Sequence, residues 1–335
     1  MMQIKSNSKV IVTGADGFLG SNIVRELLAR GHEVLGFIQH GRSADTLKGF
    51  PVKLFYGDIC KIEDLVPLFR DCDYIIHTAG LTSLWPKKSS SSWNVNYHAV
   101  KNLVMLARKY EIKRFIHIGT ANSFGPGPLS NPGNENTPYT SGQYGVDYFD
   151  SKYKAQKYLI HQATTTNFPV IILNPTFMIG PYDSEFGSNK MILEIYNKNV
   201  PGYSKGGKNY VHVRDVATAA VNALSLGRLG ECYIVGNQNL SYKVAFRMIA
   251  DTLKVRPPKL PLPSYLTIAF GAYNLVLSKL IGKYPIVTVQ MARVACADCY
   301  YSPEKAIEEL KLPQTPIELA VSESYDWFKG RGSVT

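Results

Sequence analysis

Lys9–Gly20, KVIVTGADGFLG, is the stretch that decides the fold of this 335-residue chain. It opens with a β-branched run typical of a buried parallel strand, and Gly14, Gly17 and Gly20 then recur at a constant spacing. The next segment, Ser21–Arg30, carries apolar residues at helical spacing. A strand, a glycine turn and a helix in this order predict a site for the pyrophosphate of a dinucleotide, because glycine lets the backbone approach the phosphates and the helix N-terminus favours negative charge. A purely structural turn is the alternative interpretation.

The end of the second strand distinguishes NAD from NADP. Glu33–Ile38 is predicted as that strand, and an NAD site usually places Asp or Glu about 20 residues beyond the glycines, where it binds the ribose hydroxyls. This chain has Gln39 there, followed by Arg42, which can meet a 2′-phosphate. The sequence therefore favours NADP(H) over NAD(H). A solvated loop with an ordinary surface arginine is the alternative.

Two further strands, Val52–Tyr56 and Asp73–Ala79, are predicted to end beside the cofactor. Asp58 follows the first of them, and its carboxylate can accept from the adenine amino group or cap the helix predicted at Lys61–Arg70. His77 lies in the second. A hydrogen-bonded structural histidine is favoured over a metal ligand, because no partner has ligand spacing, and no metal site is expected.

Thr120, Tyr148 and Lys152 form the expected catalytic set. Thr120 follows the predicted strand Lys113–Gly119, and ligands lie at the carboxyl ends of parallel strands. Tyr148 and Lys152 are four residues apart in a helix predicted over Tyr144–Thr164, so they share one face. We expect the ammonium to lower the pKa of the phenol, so that Tyr148 exchanges a proton with a carbonyl oxygen that Thr120 polarises, while Lys152 also bonds the nicotinamide ribose. Without the glycine turn, the pair would be uninformative.

Together these segments resemble the extended short-chain dehydrogenase/reductase family. The matching stretches are TGADGFLG (13–20), GDI (57–59), HTAG (77–80), NYHAVKNLV (96–104), IGTANSFG (118–125), the pair Tyr148 and Lys152, and NPTFMIGP (174–181). The resemblance implies a Rossmann domain with a smaller substrate domain, proton transfer by Tyr148 with support from Lys152, Thr120 in the usual Ser/Thr position, and Asn96 steadying the active-site helix. NPTFMIGP and YVHVRDVA (210–217) resemble the dihydroflavonol reductase and 3β-hydroxysteroid dehydrogenase branch, which reduces ketones on apolar substrates or oxidises the alcohols.

The motifs and strand ends together define two sets of expected site residues. The expected cofactor-binding residues are Gly14, Gly17, Phe18, Leu19, Gly20, Gln39, Arg42, Asp58, Ile59, Thr78, Ala79, Gly80, Asn96, Lys152, Asn174 and Pro175. The expected substrate-binding residues are Leu84, Trp85, Ser123, Phe124, Tyr148, Phe177, Met178, Phe186 and Tyr203. Core packing is the alternative for several of the second set, above all Phe177 and Met178.

Strand–helix alternation predicts a doubly wound parallel α/β sheet of Rossmann type. We expect residues 1–175 to form the dinucleotide-binding domain with its Tyr/Lys helix, and residues 176–335 a smaller mixed α/β substrate-binding portion, of which 209–235 returns in part to the first domain. Predicted helices in the second portion are 188–198, 215–226, 242–253 and 303–310, with strands at 209–213 and 231–235. Residues 123–143 are rich in Gly, Pro, Asn and Ser and predict a long loop, either a lid or a plain surface excursion.

Composition indicates a globular protein of a reducing cytoplasm. The five cysteines show no disulfide framework, and Cys296 and Cys299 are an isolated pair without zinc-site partners. Residues 1–8 lack the apolar run of a signal peptide. The formal net charge of +11 suits a phosphorylated cofactor, but no dense Lys/Arg cluster predicts nucleic-acid binding.

Residues 262–281 are unusually apolar. Core packing is the favoured explanation, and an apolar cover over a lipid-like substrate that touches the membrane surface is the alternative. The family resemblance also implies a homodimer.

Three functions are compatible with these residues. The favoured one is an NADP-dependent oxidoreductase that transfers a hydride between nicotinamide and a ketone or secondary alcohol on an apolar small molecule. The second is a nucleotide-sugar 4-epimerase with tightly bound NAD, in which Asn174 and Arg214 face the substrate diphosphate; Gln39 counts against it. The third is a non-catalytic NAD(P)-sensing protein, which has no use for Tyr148 and Lys152.

Overall fold

The computed structural model describes residues 8–281, 285 and 287–332. The strands are β1 (Lys9–Thr13), β2 (Glu33–Gln39), β3 (Lys53–Gly57), β4 (Tyr74–His77), β5 (Arg114–Ile118), β6 (Val170–Pro175), β7 (Phe177–Ile179), β8 (Gly202–Ser204), β9 (Gly207–His212), β10 (Cys232–Val235), β11 (Gln238–Ser241), β12 (Leu260–Leu262) and β13 (Asp298–Cys299). The helices are α1 (Phe18–Ala29), α2 (Ile62–Phe69), α3 (Ser90–Trp93), α4 (Ala99–Lys109), α5 (Asp147–Thr166), α6 (Lys190–Tyr196), α7 (Val213–Asn222), α8 (Tyr242–Thr252), α9 (Ser264–Ile281), α10 (Val289–Ala295), α11 (Glu304–Leu310) and α12 (Ile317–Gly330).

Seven parallel strands form the central sheet, in the spatial order β3-β2-β1-β4-β5-β6-β10. The chain first proceeds outward from β1 to β3 and then crosses back to β4 on the other side of β1. In open α/β sheets, ligands bind beyond the carboxyl ends of the strands at such a reversal. The sheet confirms the predicted doubly wound Rossmann-type fold.

Alternate side chains of the central strands enter two apolar layers. Val10 and Val12 of β1 pack with α1 and α7 on one face of the sheet, whereas Ile11 packs with α2, α4 and α5 on the other. A parallel strand between two helical layers is buried on both sides, which explains the continuous β-branched run near the start of the sequence.

A smaller mixed sheet organises the C-terminal part. β9 pairs in parallel with β7 and β13 and antiparallel with β11, and β12 pairs in parallel with β8. β10, which comes from the stretch 209–235, lies beside β6 at the edge of the central sheet. The four helices predicted in this part correspond to α6, α7, α8 and α11.

Sequence analysis predicted β9 and β10 but not α10, α12 or the strands β7, β8, β11, β12 and β13. The buried face of α12 includes Ala320 and Ser324 beside larger apolar residues such as Phe328. Small and polar residues on a buried face weaken the apolar periodicity from which a helix is predicted.

The long loop predicted over residues 123–143 is held against the C-terminal part. The N–H groups of Gly127 and Gly133 both donate to the carbonyl of Tyr300, at 3.1 and 3.0 Å, and the Glu135 carboxylate accepts from the Ile234 N–H at 2.7 Å. These bonds favour the surface-excursion interpretation over a freely moving lid.

The apolar run at 262–281 forms α9, and core packing is the wrong explanation for its outer face. Tyr273 and Leu280 expose 62% and 78% of their surface. The side of α9 that packs against the protein carries the polar residues Asn274 and Ser278 instead. None of the helices in the described ranges is long and apolar enough to cross a membrane.

Candidate active site

The glycine turn leads from β1 into α1 and leaves room for a phosphate. Gly14 adopts a φ of +66°, and its N–H donates to the Phe37 carbonyl of β2 at 2.8 Å. A Cβ at Gly14 would lie 2.9 Å from the Cα of Ala79, so the close approach of the two turns requires glycine. Gly17 precedes α1 and offers no side-chain cap, which leaves the N–H groups of the first helical turn for an anion. These residues fit the pyrophosphate of a dinucleotide.

Gly20 allows α1 to pack on the glycine turn, and its replacement gives a first prediction. A Cβ at Gly20 would lie 2.0 Å from the carbonyl oxygen of Gly14. We expect Gly20→Ala to lower the free energy of unfolding by about 3 kcal/mol, because overpacking must displace the turn or the helix. Cofactor affinity should fall with it. Urea denaturation and calorimetric titration with NADPH measure the two effects.

The matched control for Gly20→Ala is Gly330→Ala. Gly330 ends α12, and a Cβ there would meet nothing within 4 Å. This change should alter the free energy of unfolding by less than about 1 kcal/mol. Equal losses in the two variants would contradict the packing role assigned to Gly20.

The carboxyl end of β2 lies on the adenosine side of the expected site. Gln39 is exposed there. Arg42 donates from Nε to Oδ2 of Asp16 at 2.6 Å and also pairs with Glu185. Arg42 and Glu185 line a cleft of about 340 Å³ together with Asp45, Arg331 and three hydroxyl residues. Arg42 therefore lies where β2 ends, but it is already paired with two carboxylates.

Asp58 shapes the turn between β3 and α2. Its Oδ1 accepts from the N–H of Cys60 at 2.9 Å, and its own N–H donates to the Asp64 carboxylate at 2.8 Å. The capping interpretation is wrong, because the residue that caps α2 is Lys61 and no described side chain accepts from the first turn of this helix. The adenine contact stays a prediction.

The other expected cofactor residues lie along the same edge of the sheet. Phe18 and Leu19 begin α1, Ile59 is buried just beyond β3, and Pro175 ends β6. After β4, the Thr78 hydroxyl donates to the Thr13 carbonyl at 2.6 Å, and the Ala79 N–H donates to the Thr13 hydroxyl at 3.3 Å. Because every central strand is parallel, all these positions lie on one side of the molecule.

Thr120 lies beyond the end of β5 and is held from several directions. Its hydroxyl oxygen accepts from the backbone N–H and the side-chain amide of Asn122, at 3.3 and 3.2 Å. Nδ2 of Asn174 donates to the Thr120 carbonyl at 2.9 Å and to Oε1 of Gln156 at 2.7 Å. Asn174, expected to face the cofactor or a substrate diphosphate, is instead fully buried and positions Thr120.

Gln156 is a positioning residue that sequence analysis missed. It is buried on α5 and lies four residues beyond Lys152. The signal was available, because Tyr148, Lys152 and Gln156 recur at a spacing of four and such residues share a helix face.

Tyr148 and Lys152 both reach the end of β5 from α5. The Thr120 side chain lowers the pKa of Tyr148, yet burial is the larger influence and raises this pKa above its usual value of 10.0. Nζ of Lys152 donates to the Ile118 carbonyl at 2.9 Å, and burial lowers the pKa of Lys152 from 10.5 to about 8. The prediction that Lys152 lowers the pKa of Tyr148 is therefore wrong for this structure.

Asn96 fixes α5 relative to the loop after β4. Its Oδ1 accepts from the Leu81 N–H at 2.9 Å, and its Nδ2 donates to the Leu81 carbonyl at 2.9 Å and to the Ser151 hydroxyl at 3.2 Å. A Cβ at Gly80 would lie 3.0 Å from Nζ of Lys152, so glycine leaves space for the ammonium. Asn96 was expected to bind the cofactor, but these contacts make it a positioning residue for the helix that carries Lys152.

A buried pair of histidines lies near Lys152 in the central sheet. Nδ1 of His77 is 2.7 Å from the Thr13 hydroxyl, in agreement with a structural role, and the rings of His77 and His117 are 5.3 Å apart. Burial, followed by the charge of Lys152, lowers the pKa of His77 to about 3 and that of His117 well below 6.5. Both rings are therefore neutral at physiological pH. Among the described residues, no cluster of three or more His, Cys, Asp or Glu could hold a metal ion.

Two of the expected substrate residues are buried beside the catalytic set. Phe124 belongs to the apolar layer beneath α5, and its carbonyl accepts from the Tyr301 hydroxyl at 3.5 Å. The burial of Phe124 agrees with the core alternative stated for several of these residues, and its contact with substrate stays a prediction. The hydroxyl of Ser123 is also buried.

The remaining expected substrate residues are spread over several elements. Leu84 and Trp85 are half-buried in the loop after β4, and Tyr203 lies on β8. Phe177 packs against Tyr210 with ring centres 5.5 Å apart, and Met178 packs against the core layer of α1. Phe186 stacks on Phe328 with ring centres 5.2 Å apart. The packing of Phe177 and Met178 agrees with the core alternative stated for them. Long-range packing in the C-terminal part decides these positions, and no local pattern carries it.

Comparisons with known proteins agree with this geometry. The profile of the NAD dependent epimerase/dehydratase family matches residues 10–236. A putative dihydroflavonol 4-reductase of Synechocystis sp. is 28% identical over 332 residues, which cover 96% of this chain and 95% of the relative. The human sterol-4-alpha-carboxylate 3-dehydrogenase, decarboxylating, is 26% identical over 317 residues, which cover 88% and 81%.

A solved structure shares the same fold. The UDP-glucose 4-epimerase of Thermus thermophilus, in complex with NAD, superimposes with a TM-score of 0.75 at 22% identity and covers 96% of this chain and 99% of its own. The chain belongs to the NAD dependent epimerase/dehydratase family, which confirms the resemblance to extended short-chain dehydrogenases/reductases. It is an NAD(P)-dependent enzyme of that type.

Proposed function

We propose that this enzyme uses NADPH to reduce a ketone on an apolar small molecule to a secondary alcohol. The observation that carries the proposal is the Thr120–Tyr148 hydroxyl pair beyond β5, with the pKa of Tyr148 raised by burial. A phenol that stays protonated at neutral pH can donate the proton that carbonyl reduction requires. The two relatives act, by their names, on a dihydroflavonol and on a sterol carboxylate, which supports an apolar carbonyl or alcohol substrate.

The chain's own residues supply a proton and hold the oxygen that receives it. When bound, NADPH supplies the hydride that the carbonyl carbon accepts. Tyr148 donates its phenolic proton to the carbonyl oxygen, and the Thr120 hydroxyl donates a hydrogen bond to the same oxygen. Lys152 uses one N–H for the Ile118 carbonyl and keeps two for a ribose hydroxyl. Asn174 keeps Thr120 in place throughout.

The nucleotide-sugar epimerase alternative receives less support from the same residues. An epimerase must bind a substrate diphosphate, and Asn174 and Arg214 were the residues expected for it. Asn174 is fully buried, and Arg214 pairs with Glu323 of α12. Both residues already have protein partners, so the ketone reductase remains the better account.

The NADP preference rests on the cleft at the end of β2. A 2′-phosphate needs cationic and hydroxyl donors, and this cleft supplies them from Arg42, Arg331, Ser43, Thr46 and Ser184, beside the carboxylates of Asp45 and Glu185. Glu185 is an exposed partner of Arg42, so a phosphate can replace its carboxylate at little cost.

Arg42→Gln should therefore weaken NADPH binding and leave NADH binding almost unchanged. Loss of a charge-assisted bond to phosphate corresponds to about a tenfold or larger rise in the KM for NADPH. Steady-state kinetics measure the ratio of the KM for NADPH to the KM for NADH. This ratio serves as its own control, because a general loss of folded enzyme affects the reactions with both cofactors alike. An equal rise in the KM for NADPH and NADH would contradict the assignment.

A thermal-shift comparison tests the proposed function as a whole. Ligands that bind only the native state raise its midpoint of unfolding. We expect NADPH to raise it more than NADH, and an apolar ketone to add to the NADPH shift, whereas UDP-sugars should have no effect. A shift by a UDP-sugar without added cofactor, in protein that retains NAD through purification, would favour the epimerase instead.

A further inference from the structure

Helix α9 has the reverse of the ordinary amphipathic arrangement. The residues of α9 that face the protein are Gly271, Asn274 and Ser278. A Cβ at Gly271 would lie 2.9 Å from the Thr288 carbonyl oxygen at the start of α10, so the two helices approach closely there. The opposite face is apolar and exposed, and its large residues are Tyr265, Leu266, Phe270, Tyr273, Val276, Leu277, Leu280 and Ile281. A contiguous apolar face of this kind marks an interaction surface.

The sequence around α9 is exclusively basic. No Asp or Glu occurs between residues 252 and 297, whereas this stretch contains Lys254, Arg256, Lys259, Lys279, Lys283 and Arg293. Lys254, Arg256 and Lys259 are exposed or half-buried just before α9, and Arg293 lies on the neighbouring α10. The apolar face therefore lies among cations without nearby acids in the sequence.

We infer that the outer face of α9, together with Lys254, Arg256, Lys259 and Arg293, forms a docking surface for an anionic lipid bilayer. Helices that lie in the membrane interface combine Trp, Tyr, Phe and Leu on one face with Lys and Arg beside them. Each cation near an anionic membrane surface adds attraction, while the apolar side chains enter the boundary between headgroups and acyl chains. Because its other face packs on α10, α9 would lie along the bilayer surface.

A second copy of the chain is a poorer occupant for this face. A symmetric contact through α9 would bring two basic stretches together without acids to neutralise them. The homodimer implied by the family resemblance stays a prediction and does not require α9.

The docking surface adjoins the portion expected to bind substrate. α9 follows β12 directly, and β12 pairs with β8, which carries Tyr203 opposite Pro261. A bilayer against α9 would bring an apolar substrate close to this portion. That consequence rests on the proposed function, whereas docking itself does not.

Vesicle co-sedimentation of the whole chain, without cofactor or substrate, tests the inference. We expect the protein to bind phosphatidylcholine–phosphatidylglycerol vesicles, with weak binding to pure phosphatidylcholine and release by salt. The double variant Tyr273→Ser/Leu280→Ser should partition at least about tenfold more weakly, because it removes two large apolar side chains from the interface. Leu129→Ser/Leu229→Ser changes two residues of 61% and 51% exposure elsewhere on the surface and should bind like the wild type.

Three outcomes would overturn the inference. One is that wild-type protein stays in the supernatant with anionic vesicles, and another is that the α9 double variant binds as well as the wild type. The third is a wild-type dimer that the α9 variant converts to a monomer while vesicle binding is unchanged, which would assign the face to a second copy. Far-UV circular dichroism and the urea midpoint verify that both variants are folded. A failure here leaves the NADPH-dependent activity untouched, so the two proposals fail separately.

Discussion

Tyr148→Phe is expected to lower kcat by about 10³-fold while cofactor affinity stays nearly unchanged. General acid catalysis by a positioned side chain contributes about 10²–10⁴-fold, and phenylalanine keeps the ring but removes the proton that the carbonyl oxygen receives. Tyr148 of α5 is close enough to Thr120 for that side chain to lower its pKa, and Thr120 lies beyond β5, where the fold directs a ligand. The variant needs two measurements, single-turnover reduction of a ketone and calorimetric titration with NADPH.

The control for this variant is Tyr158→Phe. Tyr158 lies on the same helix, α5, and is partly buried against Tyr97. Its replacement should change kcat by less than about twofold, because its ring packs against Tyr97 rather than against a residue of the catalytic set. If Tyr148→Phe kept full activity, Tyr148 would not be the proton donor, and a sensor without catalysis would become the better account.

Lys152→Met is expected to stabilise the protein at neutral pH while it abolishes most of the activity. Burial lowers the pKa of Lys152 from 10.5 to about 8, and a difference of that size corresponds to about 3 kcal/mol of unfavourable charge burial at pH 7. Loss of the bond to the Ile118 carbonyl offsets about 1 kcal/mol. We therefore expect a net gain of about 2 kcal/mol in the free energy of unfolding, measured by urea denaturation.

The pH dependence of this gain has a definite sign. Below pH 8, Lys152 is charged in both the folded and the unfolded state, so the wild type carries the full penalty. Between pH 8 and 10.5, the folded state releases a proton that the unfolded state keeps, and the stability of the wild type rises relative to the variant. The advantage of Lys152→Met should therefore disappear toward pH 10.5. Lys154→Met, at an exposed position of α5, should show neither the gain nor its pH dependence, and a loss of stability in Lys152→Met at every pH would contradict the account.

The sequence was sufficient to predict the parallel sheet, because the patterns that indicate its strands lie within short stretches of sequence. β1, the glycine turn and α1 follow one another within a single short stretch, and each later strand is indicated by a β-branched or apolar run. Parallel strands bring all their carboxyl ends to one edge, so Thr120 and the glycine turn were predicted to lie at the same edge without any knowledge of packing. What each of them does there was not predictable from that rule.

The unpredicted features of the site depend on partners that are distant in the sequence. Glu185 pairs with Arg42, Gln156 holds Asn174, and Asn96 directs its hydrogen bonds to Leu81 and Ser151. The same holds for the pKa of Tyr148, since the sequence shows the spacing to Lys152 but neither the burial of the phenol nor the Ile118 carbonyl that engages the ammonium.

Net oxidation of NADPH by an apolar ketone is the measurement that tests the central claim most directly. The purified chain is mixed with NADPH and a cyclic or aromatic ketone, and the absorbance of the reduced nicotinamide is followed while the alcohol is quantified by chromatography. The account predicts a loss of NADPH that equals the alcohol formed and that almost vanishes in Tyr148→Phe. A preparation that carries bound NAD, interconverts nucleotide-sugar epimers and causes no net change in absorbance would contradict it.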